Sequence, residues 1–285
     1  MIVDIFTYTQ ASEGGAFHVD ALIEAAKRGH LDGICVTDRA VSSHARALLE
    51  AGKRHGFFVG QGVELETSEG RVVAFPRNID EEYCREGWRS LGDKPSSRDV
   101  LEYFHARGGI VVARDVYHQG AGFKDRIFGL TDSSHRGFDG VDTMAAYRRR
   151  IDNELSIEAQ LVLKVPACAG SGVFDCIEDI GRCATLFTQK VMGQAAFVEA
   201  MRTMAHWACA LRDLGEACPM GSPPKTDEDG EGDGRDARRS GHGRNERSAR
   251  GSGGGDRRGD DRRSGDRRGS SDRGSSRRGD GRRNR

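Results

Sequence analysis

The chain has 285 residues, with 44 Lys and Arg against 44 Asp and Glu, so its formal net charge is zero. No apolar run approaches the roughly 18 residues needed to span a bilayer, and the opening MIVDIFTYTQ lacks the basic flank and long apolar core of a secretory leader. Seven cysteines (35, 84, 168, 176, 183, 209, 218) form no Cys-x-x-Cys pair. Free thiols in a reducing compartment are therefore expected, and the reading is a cytoplasmic protein without a membrane partner.

The zero net charge is the sum of three unlike parts. Residues 1–224 carry 25 basic and 31 acidic side chains, 225–233 carry one Lys and five acids, and 235–285 carry 18 Arg and eight acids. Only the first part has the apolar content to bury a core; the last has almost none and cannot offset its chain entropy. The sequence thus predicts a folded domain over 1–215, an acidic Pro/Gly linker over 216–234 and a disordered Arg/Gly/Asp/Ser-rich tail over 235–285.

Within the folded part, short apolar runs alternate with amphipathic stretches, the pattern of a βα series. Residues 1–8 read as the first strand. The helix that follows places Val19, Leu22, Ile23 and Ala26 on one face and closes at Gly29. Residues 32–37 form the second strand, 41–55 a helix, 57–60 a third strand and 71–75 a fourth. Ser96-Ser-Arg-Asp opens a helix with a capping box, running to Arg107. Strands follow at 108–113 and 138–143, a helix at 151–163, a strand at 165–169 and a last strand at 184–187. A long amphipathic helix over 194–214, carrying Phe197, Met201, Met204, Ala205 and Ala208, is expected to close the fold. About seven strands alternating with helices point to a barrel of parallel strands.

In such a barrel, chemistry sits at the C-terminal strand ends. The residues there include Asp4, Phe6 and Tyr8, then Asp38 and Arg39, Glu64, Arg114 and Asp115, and Gly172 to Phe174. Together with Ser12-Glu-Gly-Gly, the run from Glu24 through Gly29-His-Leu-Asp-Gly-Ile-Cys-Val-Thr-Asp38, Gly62-Val-Glu64, Gly108-Gly-Ile-Val-Val-Ala, Ala169-Gly-Ser and Glu178-Asp-Ile-Gly-Arg, their order resembles the PHP (polymerase and histidinol phosphatase) domains over roughly residues 1–190. The resemblance implies an α/β fold, a distorted (β/α)7 PHP-like barrel, holding two or three metal ions at the strand ends and hydrolysing phosphoesters.

The departures from that family fall on its ligands. Phe6 and Tyr8 stand where it has its first two histidines, and Arg39 follows Thr-Asp in place of a third. Arg114 replaces the His of its Ala-His-Pro turn, and Gly172 and Phe174 replace an Asp and a His. Of the expected metal ligands only Glu64 keeps its place, with Asp38 beside a lost His and Glu13 near the family's Asp. Phe has no lone pair and Arg repels a cation, so no metal is expected and the family's hydrolysis with it is lost. The histidines of the folded part (18, 30, 44, 55, 105, 118, 135, 206) show no metal-ligand spacing. The expectation is a non-catalytic scaffold or phosphate-ligand binder; the alternative is a phosphoesterase or nuclease using a divalent metal such as Mn or Zn, built on Glu64, Asp38, Glu13 and His118.

Two readings of the arginines stay open. Arg39 and Arg114 either form a metal-free anion pocket through their guanidinium forks, or pair with leftover carboxylates (Asp38, Asp115, Glu64) and plug the site. The tail repeats Asp-Arg-Arg-Gly/Ser, with Arg257, Arg258, Arg262, Arg263, Arg267, Arg268, Arg277 and Arg278 in the repeats. It resembles the RG-rich tails of RNA-binding proteins. RNA or another polyanion is its expected partner, and a protein partner is a further expectation.

Overall fold

The computed structural model describes residues 1–118, 122–130 and 137–212. They lie in one compact unit, Met1–Asp229; the second unit, Gly230–Arg285, the linker and the tail arginines 257, 258, 262, 263, 267, 268, 277 and 278 lie outside the described residues, as does His135. In chain order the elements are β1 (Ile2–Thr7), α1 (Val19–Arg28), β2 (Gly33–Val36), α2 (Ala45–His55), β3 (Phe58–Gln61), β4 (Val63–Glu66) and β5 (Arg71–Phe75). Then come α3 (Glu81–Cys84), α4 (Ser97–Ala106), β6 (Ile110–Arg114), β7 (Gly140–Met144), α5 (Arg150–Leu163), β8 (Ala167–Ala169), β9 (Cys183–Phe187), α6 (Gln194–Arg202) and β10 (His206–Ala210).

The strands make two five-stranded sheets, ordered β10-β9-β1-β2-β3 and β4-β5-β6-β7-β8, rather than one closed ring. This corrects the expected barrel of parallel strands: β4, β5 and β6 pair antiparallel, as do β1, β9 and β10. Between the sheets only single bridges form, Arg39 with Glu64 and Thr7 with Val173. An apolar layer fills the space between them, with Ile5, Phe6, Val73, Phe75, Val112 and Phe187 fully or almost fully buried. Helix α6 plugs one end of this layer, its Phe197 edge-on to Phe75 at 5.0 Å and to Phe187 at 5.9 Å. A buried Phe of this kind contributes about 2–3 kcal/mol.

Outside the sheets, α1 and α2 bury Leu22, Ile23, Ala26 and Leu48 against β2 and β3, and α4 buries Val100, Leu101 and Phe104 against the second sheet. The N-cap half of the capping box expected for α4 forms, the Ser96 side chain accepting from the Asp99 N–H, while the Asp99 carboxylate accepts from Ser96 Oγ. Helix α5 is turned the other way. It buries Asp152, Asn153, Ser156 and Ala159 and leaves Leu161 and Val162 exposed. Asn153 explains the orientation, because its amide both donates to Ala145 O and accepts from Ala145 N, at 3.2 Å each. That clasp fixes the segment leaving β7, which carries two residues of the site.

The long helix expected over 194–214 is instead α6 and the edge strand β10. The break falls at Met204, a non-glycine residue with φ of 56°, after which His206, Trp207 and Ala208 pair with β9. An alanine-rich stretch, Ala205-His-Trp-Ala-Cys-Ala, satisfies both periods, and the pairing partner decides between them. No helix among the described residues is long and apolar enough to cross a membrane, and the six described cysteines are unpaired.

Candidate anion-binding site at the strand ends

Glu64, Asp115 and Asp142, each less than about 4 % exposed, sit near the start of β4, just past the end of β6 and in the middle of β7. No water reaches them, so each must be compensated by the protein. Four arginines do so, in an alternating chain. Arg39 Nε reaches Glu64 Oε1 at 2.9 Å, and Arg114 Nε lies 3.4 Å from Glu64 Oε2. Arg114 Nη1 also donates to Asp142 Oδ2. Arg148 Nη2 meets Asp142 Oδ1 at 2.6 Å while its Nε lies 3.5 Å from Asp115 Oδ1. Arg71 Nη1 completes the series, 3.2 Å from Asp115 Oδ2.

The order is thus Arg39, Glu64, Arg114, Asp142, Arg148, Asp115, Arg71. Every carboxylate is shared between two guanidiniums, and an arginine stands at each end. The inner arginines, 114 and 148, are buried; the terminal ones are not, with side chains 40 % exposed for Arg39 and 26 % for Arg71. Both terminal arginines line a cavity of about 380 Å³ together with Tyr8, His118, Tyr147, Ser171 and Phe174.

The surroundings explain how the charges are tolerated. The Arg114 guanidinium lies 4.0 Å from the Phe6 ring and the Arg39 guanidinium 4.2 Å from Phe174, which stacks on Tyr8 at 4.1 Å. Tyr8 donates to Glu64, and burial pushes its phenol far above the ordinary range, keeping that proton in place. Tyr147 donates to Asp115 in the same way. Against the upward push of burial, Arg114, Arg148 and Arg71 hold Asp115 down to about 2. Burial pushes Asp142 above its ordinary range, against the opposing pull of Arg148 and Arg114. Gly172 has φ of 67°, and a Cβ there would stand 2.6 Å from the Tyr147 ring and 3.0 Å from Arg114 Nη2. A side chain at this position would clash with the residues that fill the site.

The other expected site residues lie apart. Asp38 pairs with no arginine: it accepts from Thr9 N, Thr9 Oγ1 and Ser12 Oγ and faces His44 Nε2, all at 2.7 Å, and so ties a loop to the end of β2. Glu13 is exposed on that loop. Asp4 is fully buried and accepts from Ser171 N at 2.8 Å, Ser171 Oγ and Gly181 N at 2.9 Å. It has no cation among the described residues, and burial pushes it up to about 6. Arg114, for which an anion or a leftover carboxylate was the open choice, is 1 % exposed and pairs with Glu64 and Asp142. Sequence reasoning missed Arg71, Asp142, Tyr147 and Arg148. Arg148 sits in an Arg-Arg-Arg run that reads as solvated surface, and only the Asn153 clasp turns it inward.

No family model matches the chain, and no curated protein matches it. Among solved structures it is similar to a protein from Bifidobacterium adolescentis described as a metal-dependent phosphoesterase, with TM-score 0.50 and 14 % identity, over 60 % of this chain and 86 % of that one. A two-domain protein from Bacteroides vulgatus, described as containing a predicted PHP-like metal-dependent phosphoesterase, gives TM-score 0.52 and 14 % identity over 73 % and 64 %. An amidohydrolase from Chromobacterium violaceum, with bound sulfate and no metal, gives 0.51 and 14 % over 74 % and 98 %. At these identities the likeness is one of fold: the described domain has a PHP-like fold.

The metal that this fold's relatives use does not fit the residues present. Among the described residues no group of three His, Cys, Asp or Glu side chains is placed to hold an ion. The three carboxylates at the strand ends are each bonded to two guanidiniums, and a divalent cation there would face four fixed positive charges.

Proposed function

We propose that the strand-end cavity is a metal-free site for an oxyanion of the phosphate class, on a PHP-like scaffold without hydrolytic activity. The observation that carries this reading is the ionic chain ending in Arg39 and Arg71. A terminal guanidinium shares one carboxylate with a neighbour and has donors left over at the cavity, whereas each inner one is buried between two carboxylates, with Arg148 Nε left without a hydrogen bond. Two such forks on one small cavity suit a tetrahedral oxyanion. The buried His118 Nδ1, which has no hydrogen-bond partner, adds a further polar atom on the same cavity. That a neighbour of this fold holds sulfate without metal supports the same chemistry.

The second reading, metal-dependent hydrolysis of a phosphoester or of RNA, is favoured by the names of the fold's neighbours. One experiment separates them. Calorimetry with inorganic phosphate and sulfate on the full chain is paired with elemental analysis and with p-nitrophenyl phosphate turnover in added manganese. The proposal expects saturable anion binding, at least tenfold weaker in Arg39→Ala and in Arg71→Ala, and no turnover. Stoichiometric metal with turnover abolished by Glu64→Ala would establish the second reading instead. We further propose that the tail arginines (257, 258, 262, 263, 267, 268, 277, 278) engage RNA or another polyanion, or a protein partner, through sequence-tolerant contacts weakened by salt.

A further inference from the structure

A second cavity, larger than the one at the strand ends, lies elsewhere in the domain. A cleft of about 1380 Å³ opens at the opposite end of the sheets, between the C-terminal turns of α1 and α2, the start of β3, the segment after β5 and the loop from β9 to α6. Active sites of barrel folds do not lie at this end, which ordinarily serves stability. Here its lining is one-sided in charge. Lys27, Lys53, Arg77 and Lys190 face a single acid, Asp32. The Asp32 carboxylate already accepts from the Ile2 N–H at 2.7 Å.

The ordinary explanation covers half of these cations. Lys27 lies 3.6 Å from Glu24 and Lys53 2.7 Å from Glu50, and both complement the last turns of their helices. It does not cover Arg77 and Lys190, which have no ion pair among the described residues, so both donors remain available. The chain enters α6 at Gly193, which also lines the cleft, in a conformation with φ of 99° and with open space where a Cβ would stand. The first turn of α6 holds no acid and no side-chain cap. Apolar side chains share the lining with neutral polar ones such as Asn78, Thr188 and Gln189: Phe57, Phe58, Ile79, Val191 and Met192, the last 72 % exposed. Unpaired cations beside half-buried aromatics, in a cavity above the usual size for one small ligand, describe a site for an anion with a flat, apolar body.

We propose that this cleft binds a nucleoside polyphosphate, with phosphates against Arg77 and Lys190 and the base on the Phe57 and Met192 side. The proposal stands independently of the strand-end site. Its test is titration of the full chain with ATP, alongside tripolyphosphate and adenosine, read by amide exchange over residues 57–59 and 188–195. That readout is local, so anion binding by the tail does not enter it. Expected are protection by ATP, affinity at least tenfold lower in Arg77→Glu and in Lys190→Glu, and no change in Arg39→Ala. A melting temperature within two degrees of the parent shows that the variants fold, and Arg77→Lys should recover part of the affinity. No protection in the parent, or protection unchanged by both reversals, overturns the site. Tripolyphosphate binding as tightly as ATP overturns the nucleoside assignment.

Discussion

The two ends of the sheets carry charge in opposite ways. At the strand ends, three buried carboxylates are each divided between two arginines, and the outermost guanidiniums keep donors unused at the cavity. At the other end, the cations stand in an open cleft and two of them have no ion pair among the described residues. Burial makes the difference. An unpaired charge in the interior costs several kcal/mol, so the strand-end residues must compensate one another whether or not a ligand is present. At an exposed cleft an unpaired Lys or Arg costs almost nothing, and its presence there is weaker evidence of selection for stability. Charge at the strand ends is therefore mostly architecture, and the proposed anion site uses only its two termini.

The largest effect should come from breaking the chain in its middle. Arg114→Met removes the one group that bridges Glu64 and Asp142 and leaves Asp142 with Arg148 alone. A loss of about 3–5 kcal/mol is expected by urea denaturation, the range for breaking a buried pair. Arg114→Lys should recover little, because a point charge cannot reach both carboxylates as the fork does. A cost below 1 kcal/mol for Arg114→Met would mean the chain is not a structural unit.

Next in size is Asp4, the buried carboxylate without a cation among the described residues. Its folded-state value, about 6, lies above the ordinary 3.8, so the folded protein holds this proton more tightly than the unfolded chain. The contribution is then full below pH 4, falls as pH rises through about 6, and is flat beyond. About two units correspond to roughly 3 kcal/mol. The Asp115 contribution runs the other way, present above pH 4 and lost as pH falls toward about 2. The stability difference between the parent and Asp4→Asn should therefore shift toward the variant between pH 4 and pH 7, measured by urea denaturation across that range. Parallel curves would show that Asp4 is not the group responsible.

The βα order, most element positions and the α4 cap were legible because each depends on local periodicity or local hydrogen bonding. The sheet pairing was not. The hairpin of β4 and β5 and the strand β10 depend on distant partners, and no residue spacing encodes whether β1 is flanked by a parallel or an antiparallel neighbour. The site divides along the same line. Phe6, Tyr8, Arg39, Glu64, Arg114, Gly172 and Phe174 could be named from position alone, since strand ends converge in this fold. The pairing could not be: Asp38, the neighbour of Arg39 in sequence, is taken by Thr9, Ser12 and His44, and the arginine crosses to Glu64 instead. Arg148 reaches the interior only because α5 presents polar residues inward, which hydrophobic periodicity cannot reveal.

The smallest effect sharpens the comparison from the other side. Lys53 lies in the open cleft, 71 % exposed, and its pair with Glu50 is 2.7 Å long, a better distance than the 3.4 Å between Arg114 and Glu64. If distance governed stability, Lys53→Ala would cost the more. Solvent screening and the entropy of two mobile side chains reduce such surface pairs to between zero and about 1 kcal/mol. Lys53→Ala should therefore change stability by less than about 0.5 kcal/mol in the same urea assay that registers Arg114→Met. A cost comparable to that of Arg114→Met would show that the cleft lysines are part of the architecture. The contrast between the two ends would then be one of exposure alone.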